Sequence, residues 1–328
     1  MIPIRVRVVC IFAAAAIVAS ACSSAGATAT PTNAPTATPA ATATATTAAS
    51  ASSSASASSS TAASALPTVP SGQLIKAGTL TVCSDTSYPP QESLDASQKP
   101  VGSDIDLVNE IGKRLGLTVV VKTTNFNAII PALTGGTCDV IVSAQTITAD
   151  RQTQVDMIPY FAAGQSFVVL KGNPDNIKTV DDLCGKAVAA EDGTVEAMHI
   201  SGTGDYKPAD GLSQQCVAKG KKAITLKTFT ADTQALLALQ AGTVAAHFTD
   251  EPVAGYEVVN GQGNFEMVSG ITLERGPEGI SVAKSNTGLR DAVRASLDSM
   301  IADGTYLKIL TTWGVQSGAV TSTAPSAS

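Results

Sequence analysis

Thr146 and Arg151 stand in the turn Ser143-Ala144-Gln145-Thr146-Ile147-Thr148-Ala149-Asp150-Arg151, directly after the apolar run Asp139–Val142. A threonine hydroxyl can donate a hydrogen bond. A guanidinium can hold a carboxylate through two parallel ones, each charge-assisted contact contributing about 1.5 to 3 kcal/mol. Ligands of α/β proteins sit beyond the carboxyl ends of strands, so such a turn suits a zwitterion. Position alone leaves Arg151 equally open to the reading of a solvated surface arginine. No constellation for catalysis accompanies it: the chain has no G-x-S-x-G, no phosphate-cradling glycine loop with lysine and no H-E-x-x-H. Of the two histidines, His199 and His247, the latter falls in a strand pattern and reads as a packed or edge residue rather than a base. Binding is therefore the favoured class of function, and no cofactor is expected.

The bulk numbers narrow the partners. With 328 residues, a net charge of −6 and 15% charged residues, nothing in the composition points to nucleic acid. Arg5 and Arg7, an apolar run from Val8 to Val18 and small residues up to Cys22 have the layout of a secretory signal, and the run is too short to span a bilayer. Ala19-Ser20-Ala21-Cys22 resembles the lipobox of bacterial lipoproteins, with Ala19 where leucine is commonest. That resemblance implies acylation of Cys22, while an ordinary cut near Ala21 is the competing reading. Residues 23–71 are almost wholly Ala, Ser, Thr and Pro and are expected to form a disordered tether reaching roughly 35 to 40 Å. The folded part is thus expected on the outer face of the cell membrane, held by lipid rather than by a spanning helix.

Beyond the signal and Cys22 the chain keeps Cys83, Cys138, Cys184 and Cys216, an even number that favours disulfides in an oxidising compartment. Cys184 and Cys216 flank one continuous region and are expected to pair; Cys83 with Cys138 follows by elimination only. Closing the loop between Cys184 and Cys216 contributes about 3 to 4 kcal/mol in the chain-entropy account. Zinc is the rival use of four cysteines, but C-x-x-C spacing is absent and no metal is expected.

The elements that must position these residues alternate between short apolar runs and helical patterns, the signal for parallel strands with crossover helices. Strands are expected at Leu80–Cys83, Val119–Lys122, Asp139–Val142 and Phe167–Leu170, with helices at about Asp104–Leu115 and from an Asn127 cap to Leu133. The pattern restarts with strands Ala187–Ala190, Ile224–Phe229 and Val244–Phe248, a helix from Thr194 and another through Leu239. A last strand, Ile280–Ala283, leads to two helices that sequence alone assigns to neither half, and Trp313 on the second reads as core rather than ligand contact.

An ordered set of segments over about 74–316 resembles the family 3 extracellular solute-binding proteins, receptors for histidine, glutamine, arginine and related amino acids. In the first half these are LTVCSDTSYPP (Leu80–Pro90), VGSDIDL (Val101–Leu107), IPAL (Ile130–Leu133), Thr146 to Thr148 with Arg151, and Val155-Asp156. In the second they are Gly193-Thr194, ALLALQAG (Ala235–Gly242), TDEPV (Thr249–Val253), ADGTY (Ala302–Tyr306) and Trp313-Gly314. The resemblance implies an α/β, two-lobe periplasmic-binding-protein-like fold of type II with a hinge of two crossing strands. Lobe 1 would be 72–166 plus 280–317, lobe 2 would be 172–265, and 318–328 would be a disordered tail.

It also implies a site. Arg151, with Thr146 and the backbone at Ala144, would hold a ligand α-carboxylate, and Thr194 and Val195 of lobe 2 would be further ligand-binding positions. Asp250 would hold the α-ammonium. A carboxylate following the strand Val244–Phe248 can reach a cleft, although a helix N-cap before Pro252 is the competing use. Tyr88 and Phe126 would flank the ligand side chain, where aromatic faces suit apolar and cationic groups alike; Tyr88 could otherwise pack a loop. Asp85 would meet a distal polar group, slightly favouring an amide or basic ligand, or else would cap the following turn.

Two positions depart from the family pattern. Gln91 and then Ser93 follow the paired prolines where many relatives have phenylalanine, which is expected to make the rim more polar. Val195 follows Thr194 where a second hydroxyl is common, so an N–H survives and a hydroxyl is lost. The function implied is that of a monomeric binding component that delivers a polar amino acid to the permease of an ABC transporter. A dehydratase of the cyclohexadienyl type is one rival, which the ammonium-binding Asp250 argues against. A sensing domain acting through a membrane partner is the other.

Overall fold

Two α/β lobes hang from one nine-stranded sheet, and the strands that join them are the longest among the described residues. The computed structural model describes residues 68–324; the signal, Cys22 and the tether up to residue 67 lie outside the described residues. Strand β1 (Thr79–Ser84) is wholly buried. Helix α1 (Ser103–Arg114) packs Leu107, Val108 and Ile111 against it, with Asp104 and Asp106 in the first turn and Lys113 and Arg114 in the last, each sign at the end of the helix dipole it complements. β2 (Thr118–Thr123), α2 (Ile129–Thr134) and β3 (Val140–Ile141) follow, both strands lying parallel to β1. After α3 (Ala149–Gln154) comes β4 (Val155–Leu170), which runs out of this lobe.

The second lobe repeats the plan. Its elements are β5 (Ala187–Glu191), α4 (Val195–Ser201), α5 (Leu212–Ala218), β6 (Thr225–Phe229), α6 (Asp232–Gln240), β7 (Ala246–Asp250), α7 (Glu251–Asn260) and β8 (Phe265–Met267). β9 (Leu273–Ala283) returns to the first lobe, where α8 (Thr287–Ala302) and α9 (Thr305–Thr312) pack on its core. The sheet order is β2-β1-β3-β9-β4-β7-β5-β6, with β8 also on β4, and the long strands β4 and β9 pair antiparallel.

These two strands cross from one core to the other. On β4 the side chains through Ala163 join the first core and those from Phe167 the second; on β9, Leu273 belongs to the second and Ile280 and Val282 to the first. Gly164 sits at the crossing, where a Cβ would lie 2.7 Å from the Thr272 methyl and 2.9 Å from the Glu251 carboxylate. Only glycine lets the chains pass that closely.

Both expected disulfides are present. Cys83–Cys138 joins β1 to the segment entering β3, and Cys184–Cys216 ties the segment before β5 to α5, with Cα separations of 5.7 and 5.6 Å. Three expectations need correction. Asn127 caps no helix: it lies in a 3₁₀ turn, Phe126–Ala128, and its amide donates to Asp192 across the cleft. The strand placed at Val244–Phe248 runs from Ala246 to Asp250, which carries Asp250 to its very end. Residues 318–324 pack rather than trail: Thr323 is buried, donates to Asp298 and accepts from Arg294, because both partners project from α8. Trp313 packs on the first core and donates to Asp106 at 2.7 Å. No helix among the described residues is long and apolar enough to cross a membrane.

Candidate functional site

Parallel strands in both lobes end at the cleft, so the residues that follow them face one another. β1 delivers Asp85 and Tyr88, β3 delivers Ala144 and Thr146, β5 delivers Glu191 and the loop Thr194–Glu196, and β7 delivers Asp250. These, with Phe126 and Arg151, line a single cavity of about 280 Å³ between the lobes, so all nine residues expected at the site come together. Glu92, Glu191 and Glu196 also line it and were not anticipated. A larger open groove of about 1260 Å³ beside Tyr256, Val259 and Trp313 lacks such convergence; its two charges, Glu251 and Arg275, lie 3.7 Å apart and face each other.

Arg151 is fixed by local geometry. The Thr148 hydroxyl caps α3 by accepting from the Arg151 N–H at 3.2 Å, which sets the side chain at the cavity wall. Nη1 donates to the Thr146 carbonyl at 2.7 Å and Nη2 to the Gly193 carbonyl of the other lobe at 3.0 Å, while the guanidinium lies 5.3 Å from the centre of the Phe126 ring. Burial pulls its pKa down, and Glu196, Asp205 and Asp250 oppose that pull. Two of five N–H donors are used. Thr146 pairs with Glu278 of β9 at a non-hydrogen-bonded site, flanked by bonds from Ile147 N–H and Gly279 N–H. Its own N–H and C=O therefore point away from β9, beside the guanidinium.

Asp250 occupies the N-cap position of α7, yet its side chain makes no capping bond. The carboxylate instead accepts from the Tyr88 hydroxyl of the opposite lobe at 3.0 Å. Tyr88 in turn accepts from Asp250 N–H and from Thr249 Oγ1, each at 3.0 Å. Asp85 both caps and lines: its oxygens accept from Ser87 N–H and Phe126 N–H, each at 3.0 Å, and it faces Glu191 across the cleft.

Three expected roles change on inspection. The Ala144 N–H is committed to Asp104 Oδ2 at 3.0 Å and the Tyr160 hydroxyl at 3.1 Å, which excludes it from gripping a ligand carboxylate. The Thr194 hydroxyl is spent on capping α4 through Ala197 N–H and on donating to the Glu191 carbonyl. Gln91 does not sit on a polar rim: it is fully buried and donates to Glu278 at 2.6 Å.

Acidic side chains outnumber basic ones inside. Burial, then Asp85 and Asp232, pushes Glu191 up to about 11, and burial followed by Glu196 and Glu278 raises Asp250 well above the carboxylate range. Burial likewise raises Glu196 and Glu92, the latter further raised by Asp104, itself held at about 6. Glu92, Glu191 and Glu196 each keep one buried oxygen without a partner. Arg151 on one wall thus faces acidic groups with unpartnered oxygens on the others.

Fold and cleft together define a two-lobed binding protein whose ligand is enclosed between halves joined by two antiparallel strands. The comparisons agree. The chain belongs to the bacterial extracellular solute-binding proteins, family 3, whose model matches residues 80–316. It is 29% identical to the arginine-binding protein ArgT of Corynebacterium glutamicum over 246 residues, 75% of this chain and 77% of that protein. A solved structure of an ancestral arginine-binding protein bound to arginine is 37% identical, with a TM-score of 0.63 over 72% of this chain and 98% of that one. The ancestral amino acid-binding protein AncCDT-1, a precursor of cyclohexadienyl dehydratase, is 32% identical with a TM-score of 0.60, covering 72% and 95%.

Proposed function

We propose that this chain is the extracellular binding component of an ABC importer and that its ligand is an amino acid with a cationic side chain. The carrying observation is the charge pattern of one cavity: Arg151 at one end, Asp250 and Glu196 beside it, and Asp85 with Glu191 across the cleft. Arg151 and the Thr146 N–H take the α-carboxylate, and Asp250 with Glu196 takes the α-ammonium. Tyr88 and Phe126 bound the ligand side chain, whose cationic end meets Asp85 and Glu191. Kinship to an arginine-binding protein supports the same reading.

Ligand first docks on the lobe carrying Arg151, and closure about β4 and β9 brings Asp250, Glu191 and Glu196 onto it. Only the closed form satisfies every charge. Charge-assisted contacts at both ends, less the ordering cost, fit micromolar binding, about −8 kcal/mol. Acylation of Cys22 would keep the binding lobes near a permease, to which the monomer hands its ligand.

A thermal-shift screen of the common amino acids tests the reading. Arginine, lysine or ornithine should raise the melting temperature most, and Arg151→Ala should abolish that shift. Recovery of the ligand unchanged after incubation separates binding from dehydratase-type turnover. Stabilisation by acidic or apolar amino acids alone would reject the proposal.

A further inference from the structure

Behind the cleft wall of the second lobe lies a histidine that the ligand cannot touch. His247, on β7, is fully buried and sits between two carboxylates: Nδ1 is 3.2 Å from Glu257 Oε2 of α7 and Nε2 is 2.9 Å from Asp232 Oδ1 of α6. Each ring nitrogen faces a carboxylate oxygen, an arrangement in which an imidazolium donates to both. Burial would lower its pKa, but Asp232 and Glu257 outweigh that and hold it well above its ordinary value. The three side chains could supply ligands to a metal, yet the ring's two nitrogens point in diverging directions at different carboxylates. Both ring nitrogens already face a carboxylate oxygen, so a metal would have to displace one of these contacts, and the arrangement is read as a clamp.

What the clamp holds is the docking point for the other lobe. Asp232 N–H donates to Ser87 Oγ at 3.0 Å, across the cleft, and Asp232 Oδ1 lies 3.2 Å from Thr249 Oγ1. The single hydroxyl hydrogen of Thr249 is shared between Asp232 and the Tyr88 hydroxyl, which bonds to Asp250. We propose that His247 is a positioning residue for ligand capture: clamped between Glu257 and Asp232, it fixes the Asp232 carboxylate and through it the Thr249 hydroxyl on which Tyr88 of the opposite lobe docks as the cleft closes, beside the contact of Ser87 with the Asp232 N–H. With the imidazolium in place, Asp232 is satisfied and the Thr249 hydroxyl is available to Tyr88. Without it, Asp232 is a buried carboxylate short of donors and draws that hydroxyl to itself, which loosens the latch.

The inference rests on the cleft being a ligand site, and its test separates the two. Full-length protein would carry spin labels at the exposed Val120 and Val217, one per lobe, and lobe separation would be measured by pulsed dipolar spectroscopy with and without arginine. Arginine affinity would be measured alongside. His247→Gln and Thr249→Val should each shift the separations toward the open form and weaken arginine binding about tenfold. The double variant should be no worse than the worse single, because both act through one chain of contacts. Additive effects, or folded variants with wild-type separations and affinity, would overturn the proposal. Should His247→Gln fail to fold, Glu257→Gln, which loosens the clamp from its other end, takes its place beside Thr249→Val. If wild-type protein takes no amino acid, the proposed function falls, while the separations still decide the role of His247.

Discussion

Tyr88 and Asp250, carried by opposite lobes, are joined by two hydrogen bonds of 3.0 Å: the phenol donates to the Asp250 carboxylate and accepts from the Asp250 N–H. Closure therefore brings together a donor and an acceptor on each side, within the cavity wall. Tyr88→Phe keeps the ring and removes that latch, leaving the buried Asp250 N–H unpartnered at a cost of about 1 to 3 kcal/mol. Arginine affinity should drop about fivefold to 150-fold by calorimetry, chiefly through faster release.

Gly193 approaches Asn127 of the opposite lobe closely. At φ +81, a Cβ there would lie 2.9 Å from the Asn127 Cα and 2.8 Å from its Cβ. Gly193→Ala should hold the cleft ajar, weaken ligand binding about tenfold or more, and leave the ligand-free melting temperature within a few degrees. An alanine variant with wild-type affinity would show that the closed form is not the binding form.

Binding should release protons. Burial pushes Glu191 up to about 11, so it holds its proton at neutral pH in the empty cavity, and burial raises Asp250 in the same direction. An arriving cation favours their ionised forms, so protons leave as ligand enters and affinity rises between about pH 5 and 8. Ligand-free stability should run the opposite way. A group whose pKa is higher folded than unfolded stabilises most below its unfolded value, and the contribution is lost as pH rises through the folded one. For Asp104 that window is from 3.8 to about 6. Calorimetry in buffers of different ionisation enthalpy checks the first claim, and melting curves against pH the second.

The Cys184–Cys216 bond braces the second lobe away from the cavity. Replacing both cysteines by serine should cost about 3 to 4 kcal/mol of unfolding free energy while arginine affinity stays within about twofold.

Much of this arrangement was legible in the sequence, and the exceptions share causes. The β-α-β runs in each half were plain because parallel strands are buried on both faces and read as unbroken apolar stretches. The full hinge strands were not, since Pro159 and Gly164 in β4 and the run Glu274-Arg275-Gly276-Pro277 in β9 read as turns. Arg151 and Asp250 were found because they stand in ordered motifs after strands. Glu191 escaped because its strand was ended one residue early, at Ala190. Glu196 lies in the first turn of α4, where an acidic residue already has an ordinary reason to be. Nothing in a one-dimensional pattern distinguishes the buried Glu92 from a surface acid, nor places His247 between Asp232 and Glu257.

Citrulline matches arginine in shape and lacks its positive charge, so a paired calorimetric titration of the two addresses the charge pattern of the cavity directly. Micromolar binding of arginine with citrulline at least about tenfold weaker is the expected result. Equal affinity for the two, or tighter binding of citrulline, would contradict a cavity organised around a second cation.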